Sequence, residues 1–186
     1  MNERSTPAAS AGVRGAIDAL VQGAIVELFH AYGTALAPVP RTSPREALTF
    51  HELAVAIGFT SPRSGIGVNQ SGRLTLSMPQ AVFALVKGED AKNARSDDWA
   101  RELANQLMGR IKNRFLPFGV RLQTGIPTNT DPNLEAQRAR SSALRIYTGR
   151  TLRGEVLVTL EGLPDESQLA YVGPEKVASE GDTIFF

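Results

Sequence analysis

The sequence predicts an α+β fold, an antiparallel sheet covered by helices. Two patterns carry that expectation. Several segments alternate apolar and polar residues and are joined by short turns, which favours antiparallel pairing. Other segments place apolar residues three and four apart, giving helices with one greasy stripe that must pack on a sheet. The scale agrees: 186 residues, 42% hydrophobic and 21% charged, suit one domain that buries its own core.

Residues 1–12 are polar and small and read as a disordered start, followed by one domain over 13–163 and a mostly polar tail over 164–186 whose Ile184-Phe185-Phe186 could dock on the body. Val13 to Tyr32 has helical spacing through Ile17, Leu20, Val21, Ala24, Ile25, Leu28 and Phe29, with Gly33 as a stop. Pro38, Pro40 and Pro44 make Ala35 to Arg45 an extended connector. Leu53, Val55, Ile57 and Phe59 form the apolar face of a strand. Ile66 to Val68 reads as a short strand, Asn69 to Gly72 as a turn, and Arg73 to Leu76 as the next strand. Pro79 opens a short buried helix over Ala81 to Val86 that Gly88 closes. A long helix spans Asp97 to Phe115, ended by Pro117 and Gly119. Val120 to Ile126 is a strand, Thr128 to Ser142 a polar loop. Ala143 to Thr148 and Glu155 to Leu160 are strands around a Gly149 to Gly154 turn. The helices are expected on one face of the sheet.

Composition excludes several functions. No cysteine means no disulfide, thiol nucleophile or thiolate metal site. A net charge of +1 gives no basic field for nucleic acid or an anionic membrane. No apolar run reaches the roughly 20 residues of a membrane span. The start lacks a secretory signal's apolar core, so a cytoplasmic protein is expected. His30 and His51 are far apart and make a poor metal pair. Gly65-Ile66-Gly67 lacks the spacing of a phosphate loop. Arg138, Arg140, Arg145, Arg150 and Arg153 read as a solvated face, with a docking patch as the alternative.

The chemistry concentrates on the long helix. On a helical wheel Trp99, Ala100, Leu103, Ala104, Leu107, Met108, Ile111 and Phe115 share one side; Asp98, Glu102, Asn105, Gly109, Lys112 and Asn113 share the other. Glu102 and Asn105, three apart, are surface neighbours. Gly109 sits mid-face, where glycine costs about 1 kcal/mol against alanine. It is either a tolerated defect or a place where another protein comes close.

Glu102-Leu103-Ala104-Asn105, preceded by Asp98 and followed by Gly109 and Pro127, resembles the signature of the CheC/CheX/FliY chemotaxis phosphatases: an aspartate or serine, then E-x-x-N, then a distant proline. The single copy of the motif is closest to CheX. The resemblance covers roughly Leu53 to Leu160, with a longer Ser61 to Ser71 stretch between strands than it leads one to expect. It implies a CheX-like fold, a phosphorylated CheY-like receiver domain as partner, Glu102 and Asn105 as catalytic residues, and Asp98, Gly109 and Lys112 as partner-binding ones. It further implies a homodimer, no cofactor in this chain, and Mg2+ in the partner receiver. Two alternatives stand beside it: a non-catalytic binding module of the same fold, adaptor or flagellar-switch-like, and an unrelated hydrolase using Glu102 as base, which lacks a companion histidine.

Overall fold

The computed structural model describes residues 15–40, 48–62, 69–87, 95–141, 144–166, 169 and 171–173. The start (1–12), the Gly65-Ile66-Gly67 stretch, the expected strand at Ile66 to Val68, the stop at Gly88 and the Ile184-Phe185-Phe186 end lie outside these.

Helix α1 (Ala16–Ala31) leads to strand β1 (Ala37–Val39) and the long hairpin β2 (Leu53–Pro62) and β3 (Asn69–Met78). Helices α2 (Gln80–Lys87) and α3 (Ser96–Phe115) follow, then a 3-10 turn (Leu116–Phe118). Two-residue strands β4 (Gln123–Thr124) and β5 (Thr128–Asn129) precede helix α4 (Pro132–Ser141) and the hairpin β6 (Arg145–Thr151) and β7 (Gly154–Glu161). The sheet is antiparallel throughout, in the order β1-β6-β7-β3-β2-β4, with β5 also on β2.

Alternation decides which side chains meet the helices. Val55, Ile57 and Phe59 of β2, Leu74, Leu76 and Met78 of β3, and Val156, Val158 and Leu160 of β7 join the apolar stripes of α1, α2 and α3 in one core. Polar contacts fasten the helices at their ends. Arg145 Nη1 and the Tyr147 hydroxyl both donate to Asp18 Oδ1 of α1 at 2.8 Å. Burial, reinforced by that bond to Asp18, pushes the Tyr147 hydroxyl well above its ordinary pKa. Glu166 accepts the Gly15 N–H at the start of α1 (2.9 and 3.0 Å). Beyond it Leu169 packs on the core, Val172 N–H bonds the Pro117 carbonyl and Tyr171 meets Phe118 edge-on. Glu52 accepts the Gln80 N–H at the start of α2 (2.8 Å), which holds its carboxyl below the usual range.

Four expectations need correction. First, Thr128 to Ser142 is not a loop: it holds β5 and α4. Second, helices do not confine themselves to one face. α4 lies on the opposite face from α1 and α3, where Ala139 joins Leu48, Phe50 and Leu157 in a second cluster, so Val156 to Leu160 of β7 are all buried. Third, two expected turns are strand. Asn69 to Gly72 pairs with Phe59 to Pro62, and Gly149 to Thr151 pairs with Gly154 to Val156, leaving only Leu152-Arg153 as the turn. Both glycines serve as seats: a Cβ on Gly72 would stand 2.3 Å from the Phe59 ring, and one on Gly149 would stand 2.3 Å from Leu36. The described ends of the long Ser61 to Ser71 stretch, Ser61-Pro62 and Asn69 to Ser71, are therefore paired strand. Fourth, within Val120 to Ile126 only Gln123 and Thr124 pair as strand, while Val120 and Leu122 point into the core. No helix among the described residues is long and apolar enough to cross a membrane.

Candidate functional site

The site is built on α3, the longest helix. Asp97 and Asp98 lie in its first turn and Lys112 and Arg114 in its last, both favourable to the helix dipole. The wheel reading holds: Ala100, Leu103, Ala104, Leu107, Met108, Ile111 and Phe115 are buried, and Trp99 packs against the core. Arg114, which sits on the apolar arc, reaches across to α1. Its guanidinium pairs with Glu27 and lies over Gly23, where a Cβ would come within 2.7 Å. At the other end Trp99 meets Tyr32 edge to face at 5.6 Å. The two helices therefore run antiparallel, and the inner side of α3 is fixed along its length.

The outer side is open. Asp98, Glu102, Asn105 and Asn113 are exposed, Gly109 and Lys112 half-buried. An uninterrupted helix puts Glu102 and Asn105 on one surface, and Asp98 to Lys112 spans about 21 Å along it. The Asn105 amide makes no hydrogen bond with any described residue. Glu102 Oε1 accepts from Gln106 Nε2 at 2.9 Å, and Gln106 Oε1 accepts from the Tyr32 hydroxyl at 2.8 Å. Asp98 pairs with Arg101 one turn on. Lys112 has no ion pair with a described residue. A Cβ on Gly109 would meet nothing within 4 Å, so the fold's own packing does not require glycine there.

Sequence reasoning missed Gln106 and Tyr32. The spacing of Glu102 and Gln106, four apart, was a usable signal; the reach of Tyr32 from α1 is tertiary and leaves no local mark.

It also missed a polar cluster on the far face of the sheet. Glu135 of α4 is 4% exposed and accepts from Arg73 Nη2 (2.6 Å), Thr75 Oγ1 (2.9 Å) and Thr130 Oγ1 (2.8 Å). Burial alone would raise its pKa; the three bonds, with the charge of Arg73, outweigh that and hold it below the ordinary value. The arginines of the charged stretch form no single patch. Arg145 reaches α1, Arg150 pairs with Glu155 at 2.8 Å, and Arg138 and Arg140 ride on α4. His30 is exposed at the end of α1. His51 donates its backbone N–H to Ser77 Oγ at 2.7 Å.

No protein-family model matches the chain, and no curated protein sequence matches it. Solved structures do. A chemotaxis protein CheX from Desulfovibrio desulfuricans superposes with a TM-score of 0.57 at 14% identity, covering 78% of this chain and 97% of that one. The CheX–CheY–BeF3–Mg2+ complex from Borrelia burgdorferi gives 0.55 at 10%, covering 77% and 96%. The FliM middle domain from Vibrio alginolyticus gives 0.50 at 10%, covering 81% and 93%. Identities this low establish the fold. The chain is an α+β protein with the CheX-like fold, as the resemblance in its sequence implied.

Proposed function

We propose that this chain is a phosphatase that hydrolyses the phospho-aspartate of a CheY-like receiver domain in chemotaxis or related two-component signalling. One observation carries the reading. The Glu102 carboxylate, bonded through Oε1 to Gln106, and the Asn105 amide, which has no partner among the described residues, stand together on the exposed face of a rigid helix, in a CheX-like fold.

The reaction attaches a water oxygen to phosphorus as the bond to the aspartate oxygen breaks, yielding inorganic phosphate and a free carboxylate. It asks mainly for positioning. Asn105 suits that task, since its amide accepts from and donates to a water without ionising. Glu102 suits docking: a carboxylate pairs with a lysine of the receiver and sets the register of the two proteins. Asp98, Gly109 and Lys112 then flank the contact, Gly109 as the low point of the face. The Mg2+ of the reaction is the receiver's. The neighbour solved with CheY supports the choice of partner, and the resemblance adds a homodimer, which light scattering tests.

The test is the lifetime of a phosphorylated receiver. The chain should shorten it; Asn105→Ala should remove most of the acceleration with binding kept, and Glu102→Ala should weaken both. A lifetime unchanged by the wild-type chain across several receivers ends the proposal. The likeness to a FliM middle domain favours a second reading, a non-catalytic binding module, in which the chain binds the receiver and leaves its lifetime unchanged.

A further inference from the structure

Two side chains beside the proposed catalytic pair join Glu102 in a chain of hydrogen bonds from the body of the protein to its surface, and we infer that Tyr32 and Gln106 are positioning residues that hold Glu102 in its docking orientation. This inference rests on the proposed phosphatase reading.

An exposed glutamate on a helix has several open rotamers. The bond from Gln106 Nε2 to Glu102 Oε1 (2.9 Å) selects one that meets Gln106 and leaves Oε2 without a bond to a described residue. A surface glutamine is itself mobile, so it would hold little on its own. Here its carbonyl is tied at 2.8 Å to the hydroxyl of Tyr32, on the neighbouring helix. The Tyr32 ring in turn stands edge-on to Trp99 at 5.6 Å and packs on the core.

The polarity of the chain is also set. A glutamine carbonyl turned toward the Glu102 carboxylate would oppose acceptor to acceptor. The amide must therefore present its NH2 to Glu102 and its oxygen to Tyr32, and the tyrosine must donate. Each link fixes the next, and one carboxylate oxygen remains for a cation on the partner. Preorganisation of this kind acts on association rather than on the bond-breaking step.

The experiment follows the full chain against a CheY-like receiver kept phosphorylated by acetyl phosphate. Tyr32→Phe keeps the ring against Trp99 and removes only the hydroxyl; Gln106→Ala removes the middle link. Each should raise KM about three- to tenfold, the range of one net hydrogen bond, with kcat within about twofold. Both effects should vanish on a Glu102→Ala background, where kcat/KM is compared. Unchanged KM in both variants, or an effect undiminished on that background, overturns the inference while the phosphatase reading stands. If the wild-type chain shortens the lifetime of no receiver, that reading falls and side-chain relaxation decides this one. The Gln106 NH2 should be more ordered than that of the exposed Gln137 and lose the difference in Tyr32→Phe; equal mobility in the wild type overturns it.

Discussion

Glu102 and Glu135 are both helix glutamates with polar neighbours, yet they stand in opposite conditions. Glu135, beneath α4, is 4% exposed and spends both oxygens on Arg73, Thr75 and Thr130. Glu102, on α3, is exposed and uses one oxygen on Gln106. A buried carboxylate must be saturated, because each missing partner leaves its desolvation uncompensated. An exposed one carries no such demand, so the bond it does make constrains it without consuming it. The first arrangement holds α4 to the sheet; the second keeps a charge presented to a partner. Comparing the two separates polarity that stabilises from polarity that is available.

The strongest way to break this contrast is Glu135→Ala. It strips Arg73, Thr75 and Thr130 of their shared acceptor and should destabilise the fold by about 3 kcal/mol, at the low end for a broken buried pair because Arg73 keeps a quarter of its side chain in solvent. Chemical denaturation measures it. Activity per folded molecule should not move, since the cluster lies on the far face of the sheet from α3. A loss below about 1 kcal/mol would mean that Glu135 is no anchor.

Asn105→Ala is the mirror experiment. It should lower receiver dephosphorylation about 100-fold, the scale of a misplaced reacting group, equal to about 2.7 kcal/mol of barrier. The denaturation midpoint should stay within about 0.5 kcal/mol of wild type, as for surface changes. A variant that loses activity only because it unfolds would erase the distinction between the two regions.

Acid sharpens it further. The folded Glu135 pKa is depressed, so its stabilisation is fully present above the ordinary carboxylate value near 4.5 and is lost as pH falls through the lower folded value. The stability gap between wild type and Glu135→Gln should therefore shrink as pH drops below about 4.5. Denaturation curves across that range measure it, and a gap that widens on acidification would reverse the assignment.

The same contrast explains what could be read from the sequence. α3 was legible because it is long and its apolar stripe is clean from Ala100 to Phe115. The pair Glu102 and Asn105 came with it, since a wheel places outward residues as surely as inward ones. α4 was not legible: its fully buried described residues are Glu135 and Ala139, and a helix that buries a carboxylate has no greasy stripe to find. Its start did leave a mark, Asp131 before Pro132, and Asp131 Oδ1 accepts the Asn133 N–H at 2.8 Å. Gly72 and Gly149 misled for a related reason. Glycine reads as a turn locally, while here each makes room in a strand for a large side chain from elsewhere, Phe59 and Leu36. Tertiary contacts decided all three cases.

The smallest expected effect bears most directly on whether the open face of α3 is shaped for a partner. Gly109 sits mid-helix, and a methyl group there would meet nothing within 4 Å. Gly109→Ala should thus stabilise the protein by about 1 kcal/mol, the ordinary helix preference. If the glycine is only a tolerated defect, activity rises or holds along with stability. If the receiver settles onto the bare backbone beside Glu102 and Asn105, the same methyl group obstructs it, and KM for the phosphorylated receiver rises while the midpoint of unfolding also rises. Measuring both on one variant distinguishes the outcomes, because stability and affinity then move in opposite directions. A gain in stability with KM unchanged would remove Gly109 from the partner surface and leave the contact centred on Glu102 and Asn105.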